Sequence, residues 1–180
     1  MKQLFYLLSA VIALMASAIT FGQTAKPVNP LSESSPTAPA FSVVSLEGEK
    51  FELAALRGKI VVLNFWFTGC QPCIEEMPEL NSLVDKFKNE NVVFIAPTWD
   101  KVSILQTFLK EHPFKYHVVP DAHDLILRAL SDGTGDIVFP THLVIDREGR
   151  IDTRIKGVEQ LEDLQKAIAR LVKSPSQKTK

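Results

Sequence analysis

An uninterrupted run of strand-forming residues from Ile60 to Phe67, IVVLNFWF, constrains the fold of this chain more than any other feature. Its first three residues are β-branched, and Asn64 is its one polar residue. A strand that is apolar on both faces needs a covering layer on each side, which is the arrangement of α/β proteins. The run therefore predicts the central strand of an α/β sheet with helices on both faces.

The patterns around this run predict the other elements of such a sheet. Two short stretches, 41–44 and 50–53, flank a Glu-Gly-Glu turn and predict a β-hairpin. Apolar residues at helical spacing follow Cys70 as far as Phe87, and Pro78 is expected to kink that helix. In chain order, the remaining predicted elements are a buried strand over 92–96, helices over 102–111 and 124–130, a strand pair over 141–145 and 150–155, and a helix over 158–171.

The two ends of the chain differ in composition from this domain. Residues 1–22 carry Lys2 near their start, continue with an apolar run and end in small residues, which is typical of a secretory signal peptide or an uncleaved N-terminal anchor. Residues 23–39 are rich in proline and serine and predict a linker. The folded domain is expected over 40–172, and 173–180 is a polar tail.

Charge and the leader together restrict the partners of the chain. The formal net charge is −1, and the lysines and arginines are dispersed rather than gathered in a stripe, which excludes a nucleic-acid-binding surface. The leader predicts export to the periplasm or to the extracytoplasmic face of a bacterial membrane. Membrane contact is expected only if the leader is retained, and we expect a monomer.

The only two cysteines of the chain, Cys70 and Cys73, follow the central strand directly. This position is the carboxyl end of a strand, where open α/β sheets place their ligand sites. A helix N-terminus stabilises a thiolate, so Cys70 is predicted to be the solvent-facing nucleophile. Cys73 lies one turn deeper and can resolve a mixed disulfide formed by Cys70, with Pro72 stiffening the segment between them.

Three alternatives for the cysteine pair stay open on the residues alone. A purely structural disulfide is possible in an exported protein, but a bridge between adjacent helical turns closes a very short loop and stabilises little. A zinc site needs four ligands, and the histidines lack zinc-finger spacing. Two unrelated buried thiols are the third alternative. The histidines are His112, His117, His123 and His142.

Resolution of a mixed disulfide needs a base near the second cysteine, because a buried thiol ionises reluctantly. Glu76 lies three residues after Cys73, about one turn away on the same helical face. It is therefore a candidate to accept or relay that proton, and the alternative is a solvated surface acid.

The second notable motif, Phe139-Pro140-Thr141, immediately precedes a predicted strand. On the residues alone, a proline at this position usually starts the strand, and only ~5% of such peptide bonds in folded proteins are cis.

Two motifs, NFWFTGCQPCIEEMPEL and FPTHLVIDREGRI, resemble the thioredoxin-like fold, and within it the extracytoplasmic TlpA/ResA-like thiol:disulfide oxidoreductases. The resemblance covers residues 40–172. It implies a three-layer sandwich with a central mixed sheet, an N-terminal β-hairpin and an inserted α/β element between Val92 and Phe139. It also implies that Pro140 is cis and faces the cysteines, which overrides the expectation from the proline alone.

The resemblance also assigns roles to individual residues. Cys70 is the attacking thiol, Cys73 the resolving thiol and Glu76 their acid–base partner, since Asn64 stands where cytoplasmic thioredoxins carry a buried aspartate. Trp66 matches the aromatic residue that packs under the site, and Pro78 matches the helix-kink proline. The candidate substrate-binding residues are Trp66, Gly69, Gln71, Pro72, Phe139, Pro140 and Thr141.

Three features depart from the family pattern. Gly69 stands where a bulky residue is common, which predicts a more open recognition surface. The loop 131–136 before the proline is long and contains glycine. His142 stands where threonine or serine is common, and we interpret it as a strand residue beside the site that can influence its protons.

The resemblance implies an enzyme that reduces disulfides in exported proteins, apocytochromes c before haem attachment among them. No metal or bound cofactor is expected, and a membrane reductase is expected to supply the electrons. One alternative is a thiol peroxidase, but Thr68 lies two residues before Cys70, not three as the peroxidatic motif requires. Another is a Cu(I) carrier using thiolates and His123 or His142, although such carriers space their cysteines as CxxxC.

Overall fold

A computed structural model describes residues 35–131, 136–157 and 161–174. Within these ranges the chain forms seven strands, four α-helices and a short 3-10 helix. In chain order they are β1 Ser42–Val44, β2 Lys50–Glu52, the 3-10 helix Leu53–Leu56, β3 Ile60–Phe65, α1 Gln71–Phe87, β4 Val92–Pro97, α2 Val102–Glu111, β5 His117–Val119, α3 His123–Leu130, β6 Thr141–Ile145, β7 Ile151–Lys156 and α4 Leu161–Lys173.

The main sheet has the strand order β5-β4-β3-β6-β7. Strands β3, β4 and β5 are parallel, whereas β6 is antiparallel to both β3 and β7. Every residue of β3 is buried, which confirms that the apolar run forms the central strand. Strands β1 and β2 pair separately as the predicted N-terminal hairpin.

Alternate residues of β3 enter two different hydrophobic clusters, one on each face of the sheet. Ile60 and Val62, with Trp66 just after the strand, pack with α1, α4 and Leu105 of α2. Val61, Leu63 and Phe65 pack with α3, the hairpin and the 3-10 helix. The predicted three-layer sandwich is therefore confirmed, and Pro78 lies inside α1.

The folded region begins before the predicted boundary at residue 40. The Ile151 amide donates to the Pro36 carbonyl over 2.8 Å, and Thr37 forms a β-bridge with Arg150. Ala38 is buried. The prediction of a linker through residue 39 was therefore wrong at its end: a proline lacks an N–H, but its carbonyl still accepts a hydrogen bond at a strand edge.

Only some of the remaining predicted domain boundaries fall on residues that the structure describes. Residues 1–34, which include the leader and most of the linker, lie outside the described residues, as do 132–135, 158–160 and 175–180. Helix α4 continues to Lys173, one residue beyond the predicted end of the domain.

Strand β5 is the element that the residue pattern did not predict. It is three residues long and pairs in parallel with β4 at the edge of the sheet. With α2 it forms the inserted α/β element that the resemblance implied. Across the described ranges, the helices are too short or too polar for any of them to span a bilayer.

Candidate active site

The cysteine pair lies where the central strand passes into the first long helix. Cys70 is the N-cap residue of α1, Pro72 lies in the first turn, and Cys73 follows it. The two sulfurs form a disulfide, with the Cα atoms 5.3 Å apart. This bond contradicts the alternative of two unrelated thiols.

Neither cysteine faces solvent in this disulfide form. Cys70 is 5% exposed and Cys73 is 1% exposed, and both belong to the hydrophobic cluster that contains Trp66. The prediction of a solvent-facing Cys70 was therefore wrong for the oxidised protein, because the sulfurs pack as apolar groups against the core. The exposed residues around them are Gly69, Gln71 and Pro72.

The loop between β3 and Cys70 is held by the carboxylate of Asp100, which no sequence motif predicted. Asp100 Oδ2 accepts a hydrogen bond from the Thr68 amide over 2.6 Å and another from the Thr98 hydroxyl over 3.1 Å. Asp100 follows the end of β4, next to the end of β3 in the parallel pair. An acidic residue just after a predicted buried strand is the signal that could have indicated it.

Three half-buried aromatic residues, Phe67, Trp99 and Phe139, form a cluster beside the cysteines, here called the aromatic cluster. Their ring centroids lie 5.2 Å (Phe67–Trp99), 5.3 Å (Phe67–Phe139) and 4.6 Å (Trp99–Phe139) apart. A Cβ atom on Gly69 would lie 3.1 Å from Cε2 of Phe67. The expectation of a more open surface at Gly69 was therefore wrong in part, because the Phe67 ring lies beside the space that a side chain at residue 69 would occupy.

The Phe139–Pro140 peptide bond is cis, as the resemblance implied. Pro140 is buried, and its carbonyl accepts a hydrogen bond from the Gly157 amide over 2.8 Å. The Thr141 side chain is also buried and donates to the Val138 carbonyl over 2.7 Å. Thr141 therefore supports the segment before β6 rather than contacting a substrate, contrary to its predicted role.

Trp66 was also predicted to bind substrate, but it is fully buried. Its indole nitrogen lies 3.4 Å from the Ala96 carbonyl oxygen, and its ring contacts Phe108 and Phe114. The substrate-binding prediction for Trp66 was therefore wrong, since a wholly buried side chain has no surface to offer. Its predicted packing under the site holds.

A second cluster, here called the buried polar cluster, consists of Asn64, Glu76 and His142. Their exposures are 1%, 4% and 0%. The Asn64 amide nitrogen donates to Glu76 Oε1 over 3.1 Å and lies 3.2 Å from His142 Nδ1. His142 Nε2 lies 3.3 Å from Glu76 Oε2. Glu76 is thus a buried group and not a solvated surface acid, and His142 contacts it directly.

Tyr116 is a further buried polar residue near this cluster. Its hydroxyl has no hydrogen-bond partner within the described ranges. Burial, and secondly the negative charge of Glu76, raise the pKa of Tyr116 well above its ordinary value. No motif in the sequence marks this residue. In the same ranges, no group of three or more histidine, cysteine, aspartate or glutamate side chains has an arrangement suited to a metal ion.

Comparisons with known proteins agree with this geometry. A sequence model of the AhpC/TSA family matches residues 35–154. The chain is 38% identical over 135 residues to the thiol-disulfide oxidoreductase ResA of Bacillus thuringiensis subsp. konkukian (strain 97-27), covering 74% of this chain and 76% of that protein. It is 40% identical over 129 residues to ResA of Bacillus cereus (strain ZK / E33L), covering 71% and 72%.

Solved structures give the same result. The crystal structure of a thiol:disulfide interchange protein of the thioredoxin family from Chlorobium tepidum TLS matches with a TM-score of 0.66 and 27% identity, covering 77% of this chain and 97% of that one. The fold, the cysteine pair and these similarities show that the chain belongs to the AhpC/TSA family and is a ResA-like thiol-disulfide oxidoreductase with a thioredoxin-like fold.

Proposed function

We propose that this enzyme reduces disulfides in exported proteins by dithiol exchange through Cys70 and Cys73. The observation that carries the proposal is the Cys70–Cys73 disulfide at the N-terminus of α1, one helical turn from the buried Glu76. The signal-like residues 1–22 and the ResA resemblance support an extracytoplasmic location.

The first step is attack by the Cys70 thiolate on a substrate disulfide. The Cys70–substrate bond forms, the substrate S–S bond breaks, and one substrate sulfur leaves as a thiolate. The free N–H groups and the positive end of the α1 dipole favour the anionic form of Cys70 at the N-cap position.

The second step releases the other half of the substrate. Glu76 takes the proton of the Cys73 thiol, and the resulting thiolate attacks the Cys70 sulfur. The mixed disulfide breaks, and the enzyme is left with the Cys70–Cys73 disulfide. Two electrons have then passed to the substrate. A membrane reductase must supply two new electrons to reduce the Cys70–Cys73 disulfide again, and the exchange itself requires no bound cofactor.

The exposed residues Gly69, Gln71 and Pro72, with the half-buried Phe139, form the surface available to an extended substrate segment. The Pro140 carbonyl is already engaged by Gly157, so the backbone of Phe139 is the group we assign to pairing with the substrate. Apocytochromes c before haem attachment are the substrate class to test first, on the strength of the ResA resemblance.

The test is to trap the mixed disulfide. Reduced Cys73→Ser protein, mixed with a disulfide-bonded apocytochrome c peptide, is expected to gain the mass of one peptide at Cys70. The matched Cys70→Ser variant is expected to gain none. Equal trapping by both variants, or by neither, would refute the assignment of the attacking thiol. Peroxide consumption by the reduced wild-type protein is the control for the thiol peroxidase alternative.

The direction of electron flow needs a separate measurement. The equilibrium potential of the Cys70/Cys73 pair, determined in graded thiol buffers, is expected near or below about −230 mV, in the range of thioredoxin and the glutaredoxins. A value near about −120 mV would instead identify an oxidant that inserts disulfides.

A further inference from the structure

The buried polar cluster contains one ionisable side chain, His142, that the exchange described above does not use. His142 on β6 lies directly opposite Asn64 on β3 in the antiparallel register, so the two side chains share one face of the sheet. Glu76 reaches that face from α1. A buried ionisable group needs partners, because leaving it unpaired costs free energy.

The Asn64 side chain determines which protons its two neighbours carry. Its amide nitrogen lies within hydrogen-bond distance of both Glu76 Oε1 and His142 Nδ1, and its two N–H groups can serve both acceptors. His142 Nδ1 is then an acceptor, so the neutral imidazole carries its proton on Nε2. The reversed amide would place its oxygen against Glu76 Oε1 and would leave both neighbours without an N–H from Asn64, and an imidazolium would place an N–H against the amide N–H.

The Nε2–H group of this tautomer lies beside the second oxygen of Glu76. The distance from Nε2 to Oε2 is 3.3 Å, yet neither atom has an aligned hydrogen bond within the described part of the chain. Most buried polar atoms in proteins do have one. Oε2 therefore has unused acceptor capacity, and the nearby Nε2–H stabilises its negative charge in a site of low dielectric constant.

We propose that His142 is a positioning residue that keeps Glu76 ionised as the base for Cys73, with Asn64 fixing the His142 tautomer. The inference rests on the proposed exchange and adds that His142 stabilises the negative charge of Glu76. In the second step, Oε2 takes the Cys73 proton, the Cys73 thiolate attacks the Cys70 sulfur, and the departing substrate sulfur leaves with the electron pair and receives that proton. His142 neither gains nor loses a proton.

Two further titratable groups bear on Glu76. The Cys73 thiol lies one turn before it on α1. Tyr116 senses its charge, but the raised pKa of Tyr116 keeps that hydroxyl neutral over the pH range of the test. The pH dependence of substrate release therefore reports on Glu76 and the thiol that it deprotonates.

The test is the pH profile of substrate release in His142 variants. Reduced full-length protein is mixed with a fluorescent peptide disulfide, and the rate of release from the mixed disulfide is followed between about pH 5 and pH 9. His142→Thr removes the N–H donor and is expected to move the acidic limb up by about one pH unit. His142→Gln keeps an N–H donor and should restore most of the wild-type profile.

Glu76→Gln supplies the comparison that separates a positioning role from a structural one. It should slow release and leave only the rise with pH that comes from ionisation of the Cys73 thiol itself, and adding His142→Thr to it should change the release rate no further. His117→Gln, which alters a surface histidine on β5 beside Glu49, is the control and should keep the wild-type profile. An acidic limb that stays in place in folded His142→Thr protein would overturn the inference.

A measurement on the wild-type protein keeps the inference testable if the variants do not fold. Long-range ¹H–¹⁵N spectra should show the Nε2–H tautomer of His142 near neutral pH, and an Nδ1–H tautomer or an imidazolium would overturn the inference. Wild-type protein that never forms a mixed disulfide would refute the exchange and the inference with it. Normal exchange with a normal Glu76→Gln profile would refute the role of Glu76.

Discussion

The contact between Gly69 and Phe67 supports a quantitative prediction about the aromatic cluster. An alanine at residue 69 would place its Cβ 3.1 Å from Cε2 and 3.4 Å from Cδ2 of the Phe67 ring. The ring would have to move by a few tenths of an ångström, which would disturb its present packing against Trp99 and Phe139. Gly69→Ala is therefore expected to destabilise the protein through Phe67.

The magnitude follows from the ring contacts. Each aromatic pair contributes about 0.5–1.5 kcal/mol beyond the burial of the ring, so Phe67→Ala, which removes two pairs and the burial of one ring, should lower the free energy of unfolding by at least about 2 kcal/mol. Gly69→Ala should lose part of that, about 1 kcal/mol. Where the ring is absent, the same substitution should instead stabilise by about 0.5 kcal/mol, because alanine restricts the unfolded chain. The coupling between the two positions is thus about 1–2 kcal/mol.

The assay is urea unfolding of the oxidised wild-type protein, the two single variants and the double variant. Phe108→Ala is the matched control background, since Phe108 packs against Trp66 and not against the aromatic cluster. Gly69→Ala should cost the same free energy there as in the wild type. If Gly69→Ala has one effect in all three backgrounds, the Phe67 ring does not occupy the space beside residue 69, and the reasoning is wrong.

Three further variants test the buried groups and the end of α4. Asn64→Asp puts a second carboxyl group about as close to Glu76 as the present amide. It should lower the free energy of unfolding by about 3 kcal/mol, and by more at higher pH, where two neighbouring carboxylates repel each other. Equal losses in urea titrations on either side of neutral pH would contradict this. Tyr116→Phe removes a hydroxyl that has no hydrogen-bond partner among the described residues, and should stabilise the protein by about 1 kcal/mol. Above about pH 10 the raised pKa of Tyr116 lets the hydroxyl ionise only in the unfolded state, so the wild-type protein should lose stability there. The variant should lack that loss, and alkaline urea titrations would detect the difference. Arg147→Ala removes a donor to the Leu171 carbonyl and should lower Tm by about 4 °C in calorimetry, whereas an unchanged Tm would show that this contact contributes nothing.

Local patterns were sufficient to predict the frame of the site. The run from Ile60 to Phe67 and the helical spacing after Cys70 depend on neighbouring residues only, and both elements formed as predicted. Strand β5 was missed because its three residues show no periodic pattern and, unlike β1 and β2, do not pair with a neighbour across a short turn. The cis bond before Pro140 came from the family resemblance, since the proline alone favours trans.

The acid–base groups were only half visible in the sequence. The spacing from Cys73 placed Glu76 on the right face of α1 but left its burial undecided. His142 was placed on a strand beside the site, but its contact with Glu76 depends on the pairing of β3 with β6. A shift of that register by one residue would send His142 to the opposite face of the sheet.

By itself, then, the sequence determined the strands and helices other than β5 and where the two thiols lie, because hydrophobic periodicity and helix termini are local properties. Tertiary structure decided that Trp66 and Thr141 are buried supports, that Phe67 lies over Gly69, and that Asn64 and His142 enclose Glu76. These contacts join residues far apart in the chain. They are set by strand register and by the packing of α1 on the sheet, which no local pattern encodes.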